Sequence, residues 1–259
     1  MREPVYTIKG LRKVFGARGW FGGGRVVTAL DGIDLEIRAG ASLGIVGESG
    51  SGKSTLARIL VALESATEGE VRFRRRAVTP GRINPCEFYR TVQFVFQNSY
   101  AAFNPRRRLG VQLDEHLRYL TEMDASARRQ RMARCLEYAQ LEPGLLSRFP
   151  HSLSGGQIQR MAIARGLLSE PEAVVMDESV SALDVSVQAR VLRLLRHLHA
   201  ELGFTLIFIA HDLAVIDYLC AEAVVMRAGR IVEQGRTAEV LGSPKSDYTR
   251  ELTRSCLPV

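Results

Sequence analysis

The sequence predicts an α/β fold, and two observations carry this prediction. The apolar segment 42–46 leads into a glycine-rich loop, and a helical pattern starts directly after that loop at Ser54. Strand and helix patterns then alternate between residues 173 and 219. Such alternation is typical of a parallel sheet whose strands are joined by right-handed crossovers.

The first part of the chain combines short strands with a longer helical region. Strand patterns are expected at residues 6–8, 26–28, 33–37, 42–46 and 70–73. The glycine-rich segment 16–24 looks like a hairpin loop, and a helix is predicted from Ser54 to Leu63. Residues from about 98 to 153 are predicted to be mostly helical, as an insertion between two halves of the core.

The second part of the chain repeats the strand–helix pattern and ends in a small hairpin. The predicted elements are a strand at 173–177, a helix at 185–202, a strand at 205–211, a helix at 213–219, and hairpin strands at 223–226 and 230–233. A short polar tail follows, which we place at 240–259.

Composition limits the classes of protein to consider. A length of 259 residues with 46% hydrophobic and 24% charged residues suits one large soluble domain. Apolar runs such as 206–210 are too short to cross a bilayer, and residues 1–4 show no signal peptide. Membrane association is therefore expected only through a partner. The scattered cysteines lack metal-ligand spacing and are expected to be reduced thiols in the cytosol.

The most informative segment is the loop at 47–55, with the sequence GESGSGKST. Its glycines let successive backbone N–H groups face an anion, and the following helix start adds its positive dipole end. Lys53 is suited to reach the β- and γ-phosphates of a nucleotide, and the Ser54 hydroxyl is suited to ligate Mg²⁺. We therefore predict a nucleotide-binding loop, made of Gly47, Glu48, Ser49, Gly50, Ser51, Gly52, Lys53, Ser54 and Thr55.

Two further segments carry chemistry. The apolar strand 173–178 ends in Asp177 and Glu178, at the edge where open α/β sheets bind ligands. Asp177 is suited to hold Mg²⁺ and Glu178 to orient the attacking water, although either residue can also be a solvated turn acid. The pentapeptide 153–157, LSGGQ, places Ser154 as a helix cap beside two glycines. Taken alone it is only a cap or a turn.

Together these segments resemble the nucleotide-binding subunit of an ATP-binding cassette (ABC) transporter. Residues 47–55 match the Walker A segment, 173–178 the Walker B segment and 153–157 the signature sequence. Further matches are the D-loop at 181–184, the Q-loop residue Gln97 and the switch histidine His211. The resemblance implies a P-loop NTPase core with an antiparallel β subdomain and an inserted helical subdomain. It covers 1–259 as one ATP-binding domain, with the helical signature subdomain at about 99–157.

The resemblance also implies roles for residues. Two cassettes of this family pair head to tail, so that the signature residues Ser154, Gly155, Gly156 and Gln157 face the γ-phosphate of ATP held by the partner. The D-loop residue Asp184 would lie at the same junction. Gln97 would touch Mg²⁺ or the lytic water, and His211 would contact the γ-phosphate near Glu178. Phe15 is the expected adenine-stacking residue, with Trp20, Phe21 or a purely structural phenylalanine as alternatives.

Three stretches resemble the peptide and nickel importer branch of the family, namely 96–106, 181–189 and 247–252. Asn98-Ser99 departs from the Asp-Pro of many relatives. The short tail, with Cys256 as its one cysteine, slightly favours a nickel or metal-chelate importer over a peptide importer.

The leading hypothesis is therefore an ATPase that drives import with ATP and Mg²⁺. Its expected partners are a related second cassette in a heterodimer, two membrane permease subunits and an extracytoplasmic binding protein. Its expected location is peripheral, on the cytoplasmic face of the inner membrane. The alternatives are an exporter cassette, or a soluble cassette ATPase on nucleic acid or ribosomes. The net charge of +7 motivates the nucleic-acid alternative. The basic clusters of the chain are short, however, which favours a solvated surface, so no nucleic-acid partner is expected.

Overall fold

The protein is described by a computed structural model that covers residues 3–16, 26–177 and 184–256. The strands are β1 Pro4–Phe15, β2 Val27–Arg38, β3 Ser42–Val46, β4 Glu68–Phe73, β5 Arg76–Ala77, β6 Val92–Val95, β7 Ala173–Asp177, β8 Thr205–Ala210, β9 Glu222–Arg227 and β10 Arg230–Arg236. The helices are α1 Lys53–Leu60, α2 Pro85–Thr91, α3 Leu109–Leu120, α4 Ala125–Tyr138, α5 Gly155–Leu167, α6 Val185–Leu202, α7 Leu213–Leu219, α8 Thr237–Gly242 and α9 Asp247–Cys256. The chain divides into two compact units, 1–83 with 207–259, and 84–206.

The first unit contains an antiparallel sheet with the strand order β2-β1-β4-β5. β1 and β2 are long strands that pair from Pro4 opposite Arg38 to Phe15 opposite Val27, with several register shifts between. Their apolar residues face inward, and the largest fully buried side chains include Tyr6, Ile8 and Ile33. Burial of this hydrophobic face stabilises the packing of the sheet in the unit. Antiparallel sheets commonly bury one face and leave the other in contact with water.

The first unit also contains β3, whose five residues are all buried. β3 pairs in parallel with β9, and β9 pairs antiparallel with β10. A strand that is buried on both faces has a continuous run of apolar residues, and residues 42–46 show this pattern. The end of β3 leads into the glycine-rich loop, which α1 follows.

The second unit combines the parallel strands β6 and β7 with the helices α2 to α6. α3 buries a stripe of leucines at helical spacing, Leu109, Leu113, Leu117 and Leu120. An ion pair of 2.6 Å between Arg128 Nε and Asp114 Oδ1 joins α4 to α3. α5 contacts α4, α6 and β6, so the helix that begins within the LSGGQ segment is central to this unit.

Several boundaries differ from the sequence prediction. The short strands expected near the N-terminus are parts of β1 and β2, because bulges interrupt the alternation without ending the strands. α1 ends at Leu60 rather than Leu63, since Ala62 adopts a left-handed φ of 55°. The region expected to be a polar tail, 240–259, contains the end of α8, which spans 237–242, and the whole of α9, which spans 247–256. Of the 16–24 segment, residues 17–24 lie outside the described residues.

Candidate nucleotide-binding site

The loop at 47–53 has a backbone that depends on glycine. Gly47 and Gly52 adopt φ of 152° and 103°, a region that other residues rarely occupy. A β-carbon on Gly47 would lie 2.1 Å from the carbonyl oxygen of Met226, and one on Gly52 would lie 2.4 Å from that of Ala29. The loop therefore fits against its surroundings only when these positions carry no side chain.

Lys53 is buried, with 4% of its surface exposed. Its Nζ donates to the carbonyl oxygens of Gly47 and Glu48, each at 2.8 Å, and lies 3.5 Å from Ser51 Oγ. These contacts hold the ammonium inside the curve of the loop, where an anion bound by the loop N–H groups would meet a positive charge.

The start of α1 is suited to bind an anion. Its N-cap is Gly52, which has no side chain to cap the helix. Backbone N–H groups in the first turn of a helix and the positive dipole end together favour phosphate binding. Ser54 and Thr55 follow in this first turn and are half-buried. The loop and the helix start are therefore suited to bind a phosphate group.

Two other predicted residues lie in the same unit. Phe15 ends β1 with 40% of its surface exposed, and the Nζ of Lys13 lies 4.7 Å from the centroid of its ring. An exposed aromatic ring of this kind is available for stacking. His211 directly follows β8 and is exposed, and the next residue, Asp212, caps α7 by accepting from the N–H of Ala214 at 2.8 Å.

The signature segment lies in the second unit, at the start of α5. Ser154 and Gln157 form a capping box, in which the Gln157 N–H donates to Ser154 Oγ at 3.3 Å and the Ser154 N–H donates to Gln157 Oε1 at 3.0 Å. The Gln157 side chain is thus held at the helix start by its hydrogen bond with the Ser154 backbone. The exposed edge of this turn, Ser154 and Gly155, remains accessible for contact with a second molecule.

Gly156 has a packing role that the sequence analysis did not assign. A β-carbon there would lie 2.6 Å from Cγ1 of Val187, in the first turn of α6. We expect Gly156→Ala to lower the free energy of unfolding by about 1–2 kcal/mol, because the stiff valine must move. Gly144→Ala is the matched control, since a β-carbon at Gly144 meets nothing within 4 Å. Urea unfolding of both variants checks this prediction, and equal midpoints would contradict it.

The other predicted residues of the second unit lie at the ends of strands and helices. Asp177 is the last residue of β7 and is 7% exposed, whereas Gln97 follows β6 and is exposed.

Asp184 caps α6, accepting from the Val187 N–H at 2.9 Å and the Ser186 hydroxyl at 2.8 Å. These hydrogen bonds, first that of Val187, lower the pKa of the Asp184 carboxyl, which is therefore ionised at neutral pH. Glu178 and residues 181–183 lie outside the described residues.

The predicted residues thus fall into two groups. The first unit contains the loop, Phe15 and His211, and the second unit contains Gln97, the signature, Asp177 and Asp184. The hydroxyl of Ser54, the carboxylate of Asp177 and the amide oxygen of Gln97 are oxygen donors of the kind that Mg²⁺ prefers. Tyr248 also lies beside the loop, and the sequence did not predict this. The stretch 247–252 indicated only a resemblance to the importer branch.

A buried parallel strand, a glycine-rich loop with a buried lysine and an uncapped helix start together define a P-loop nucleotide-binding protein. The family model described as "ABC transporter" matches residues 30–181. The chain belongs to the ABC transporter family, as one of its ATP-binding subunits, and it is an ATPase. None of its described helices combines the length and the apolar character needed to cross a membrane.

Relatives extend the match over nearly the whole chain. The dipeptide transport ATP-binding protein DppF of Haemophilus influenzae is 41% identical over 251 residues, which are 96% of this chain and 77% of the relative. The nickel import ATP-binding protein NikE of Pseudomonas putida is 44% identical over 218 residues, 84% of this chain and 78% of the relative. These names confirm the predicted resemblance to the peptide and nickel importer branch.

Solved structures confirm the predicted fold class. CbiO1 of Clostridium perfringens, described as part of the transporter complex cbiONQ, matches with a TM-score of 0.80 and 25% identity, over 93% of this chain and 92% of its own. The cassette MJ0796, described as a dimer in a post-hydrolysis state bound to ADP and Pi, matches with a TM-score of 0.77 and 28% identity. That match covers 90% of this chain and 98% of the other.

Proposed function

We propose that this chain is the ATP-binding subunit of an importer, and that ATP hydrolysis on it drives the uptake of peptides or of nickel or another metal chelate. The observation that carries the proposal is the similarity to subunits named for dipeptide, oligopeptide and nickel transport over most of the chain. Residues 1–259 act in this proposal as one ATP-binding domain, with the helical signature subdomain at about 99–157 and a C-terminal segment at 240–259.

The loop residues bind the phosphates of ATP. Backbone N–H groups at 47–55, other than that of Glu48, donate to phosphate oxygens, and the Lys53 ammonium exchanges part of its contact with the loop carbonyls for the β- and γ-phosphates. Phe15 stacks on the adenine, which its exposed ring supports. These residues bind and orient the nucleotide.

A second set of residues serves the chemical step. Ser54, Asp177 and Gln97 would hold Mg²⁺, and the ion would neutralise charge on the β- and γ-phosphates. Glu178 orients the attacking water and accepts its proton, and His211 donates to the γ-phosphate. The place of Asp177 supports its role, because it is the last residue of β7 and open α/β sheets bind ligands at the carboxyl ends of their strands.

The remaining site residues act on ATP bound by a second cassette. Ser154, Gly155 and Gly156 approach the γ-phosphate held by the partner, and Asp184 contacts the same junction. The exposed turn of the signature supports this assignment, as does the description of MJ0796 as a dimer. The proposed partners are a related cassette, two permease subunits and an extracytoplasmic substrate-binding protein. The chain would be peripheral, on the cytoplasmic face of the inner membrane.

Purification of the tagged chain from its native membrane tests the proposal. We expect two permease subunits and a second cassette to co-purify, and mass spectrometry identifies them. An untagged strain is the control. The binding protein associated with the complex is then titrated with short peptides and with nickel chelates, which decides between the two cargo classes. Recovery of soluble, RNA-bound partners alone would overturn the transport proposal.

A further inference from the structure

The phosphate-binding loop has a contact from near the other end of the chain. The backbone N–H of Glu48 donates to the hydroxyl of Tyr248 at 3.1 Å, across 200 residues of sequence. Tyr248 lies in the first turn of α9 and is only 4% exposed. Glu48 itself is an exposed residue, so the buried phenol gives its N–H a fixed protein acceptor in place of water.

Tyr248 is itself held in place. The guanidinium of Arg227, at the end of β9, lies 4.6 Å from the centroid of its ring. The carboxylate of Glu233, on β10, accepts from the N–H groups of Lys245 and Ser246 at 2.9 and 3.0 Å, just before α9 begins. Burial raises the pKa of the Tyr248 phenol, which therefore stays protonated at neutral pH.

The hairpin of β9 and β10 contacts the same loop. Its turn residue Gly229 donates its N–H to the carbonyl oxygen of Ser51 at 3.0 Å. The carbonyl oxygen of Met226 lies so close to Gly47 that no β-carbon fits between them. The C-terminal part of the chain thus touches the loop at Gly47, Glu48 and Ser51, which lie before the lysine.

We propose that Tyr248 is a positioning residue of the ATP site, and that α9 sets the affinity for ATP through the contact of the Tyr248 hydroxyl with Glu48. The inference rests on the proposed role of the loop in binding ATP. The Tyr248 hydroxyl favours the loop conformation whose other N–H groups converge on the phosphates. Without it, water replaces the fixed acceptor of the Glu48 N–H, and other loop conformations compete with the binding one.

Tyr248→Phe removes only the hydroxyl and leaves the ring beside Arg227. In the full-length chain, we expect the dissociation constant for trinitrophenyl-ATP to rise about three- to tenfold, the range that one neutral hydrogen bond is worth. In the assembled transporter, KM for ATP should rise by a similar factor while kcat changes by less than about twofold, because the lost interaction acts on binding.

Tyr138→Phe is the matched control. It also removes a hydroxyl that accepts a hydrogen bond, from Arg134 Nε at 2.9 Å, but in α4 of the second unit. It should leave the affinity for trinitrophenyl-ATP at the wild-type value. Thermal unfolding without nucleotide is measured for both variants, because a purely structural role of Tyr248 would lower the Tm and leave the affinity unchanged.

The outcomes separate this inference from the proposed function. If the wild-type chain binds trinitrophenyl-ATP, Lys53→Ala does not, and Tyr248→Phe binds as the wild type does, the positioning role is wrong and the ATP site stands. If the wild-type chain fails to bind any nucleotide, the proposed function itself fails. An affinity loss in Tyr248→Phe with a wild-type Tm supports the inference.

Discussion

Replacing Lys53 with alanine is expected to lower ATP turnover about 10²- to 10³-fold, the loss typical of removing one preorganised electrostatic donor. The Lys53 ammonium is buried and donates to two carbonyl oxygens of the loop, so the variant loses both the phosphate contact and part of what shapes the loop. Phosphate release by the purified complex measures the turnover, and titration with trinitrophenyl-ATP measures the binding.

Lys9→Ala is the matched control for the Lys53 variant. Lys9 is an exposed lysine on β1, in the same unit as the loop. Its replacement changes the net charge by the same amount without touching residues 47–55. Turnover near the wild-type value in Lys53→Ala, or an equal loss in both variants, would contradict the role assigned to Lys53.

Replacing Glu178 with glutamine is expected to slow hydrolysis about 10²- to 10⁴-fold while ATP still binds. The amide keeps the size of the side chain but cannot accept a proton from water, so the loss should fall on kcat rather than on affinity. Single-turnover hydrolysis separates the chemical step from binding. The affinity for trinitrophenyl-ATP should remain within about twofold of the wild type.

Glu201→Gln gives the comparison for the Glu178 variant. Glu201 is an exposed residue of α6 that pairs with His197 at 3.2 Å, far along the helix from its capped start. The Glu201→Gln variant should hydrolyse ATP at the wild-type rate. Normal turnover in Glu178→Gln would remove Glu178 from its proposed role and leave Asp177 or His211 as the next residues to test.

Elements with strong local signals were predicted to the residue. Helices α6 and α7 have the predicted bounds, because each joins an aspartate cap to an apolar stripe at helical spacing. The long strands β1 and β2 were predicted only as fragments, since bulges break the alternation that marks a strand. Helix α9 was assigned to a polar tail, because most of its residues are polar and its buried contacts come from distant elements.

The phosphate loop and the family were determined by the sequence alone. A loop that wraps an anion needs glycines, a lysine and a helix start at fixed spacing, and all of these are adjacent in the chain. The tertiary structure alone decided what surrounds them: Met226 against Gly47, Tyr248 on the Glu48 N–H and Val187 against Gly156. The physical reason is distance along the chain. Local patterns determine how a segment folds, but they do not specify which remote side chain will pack against it.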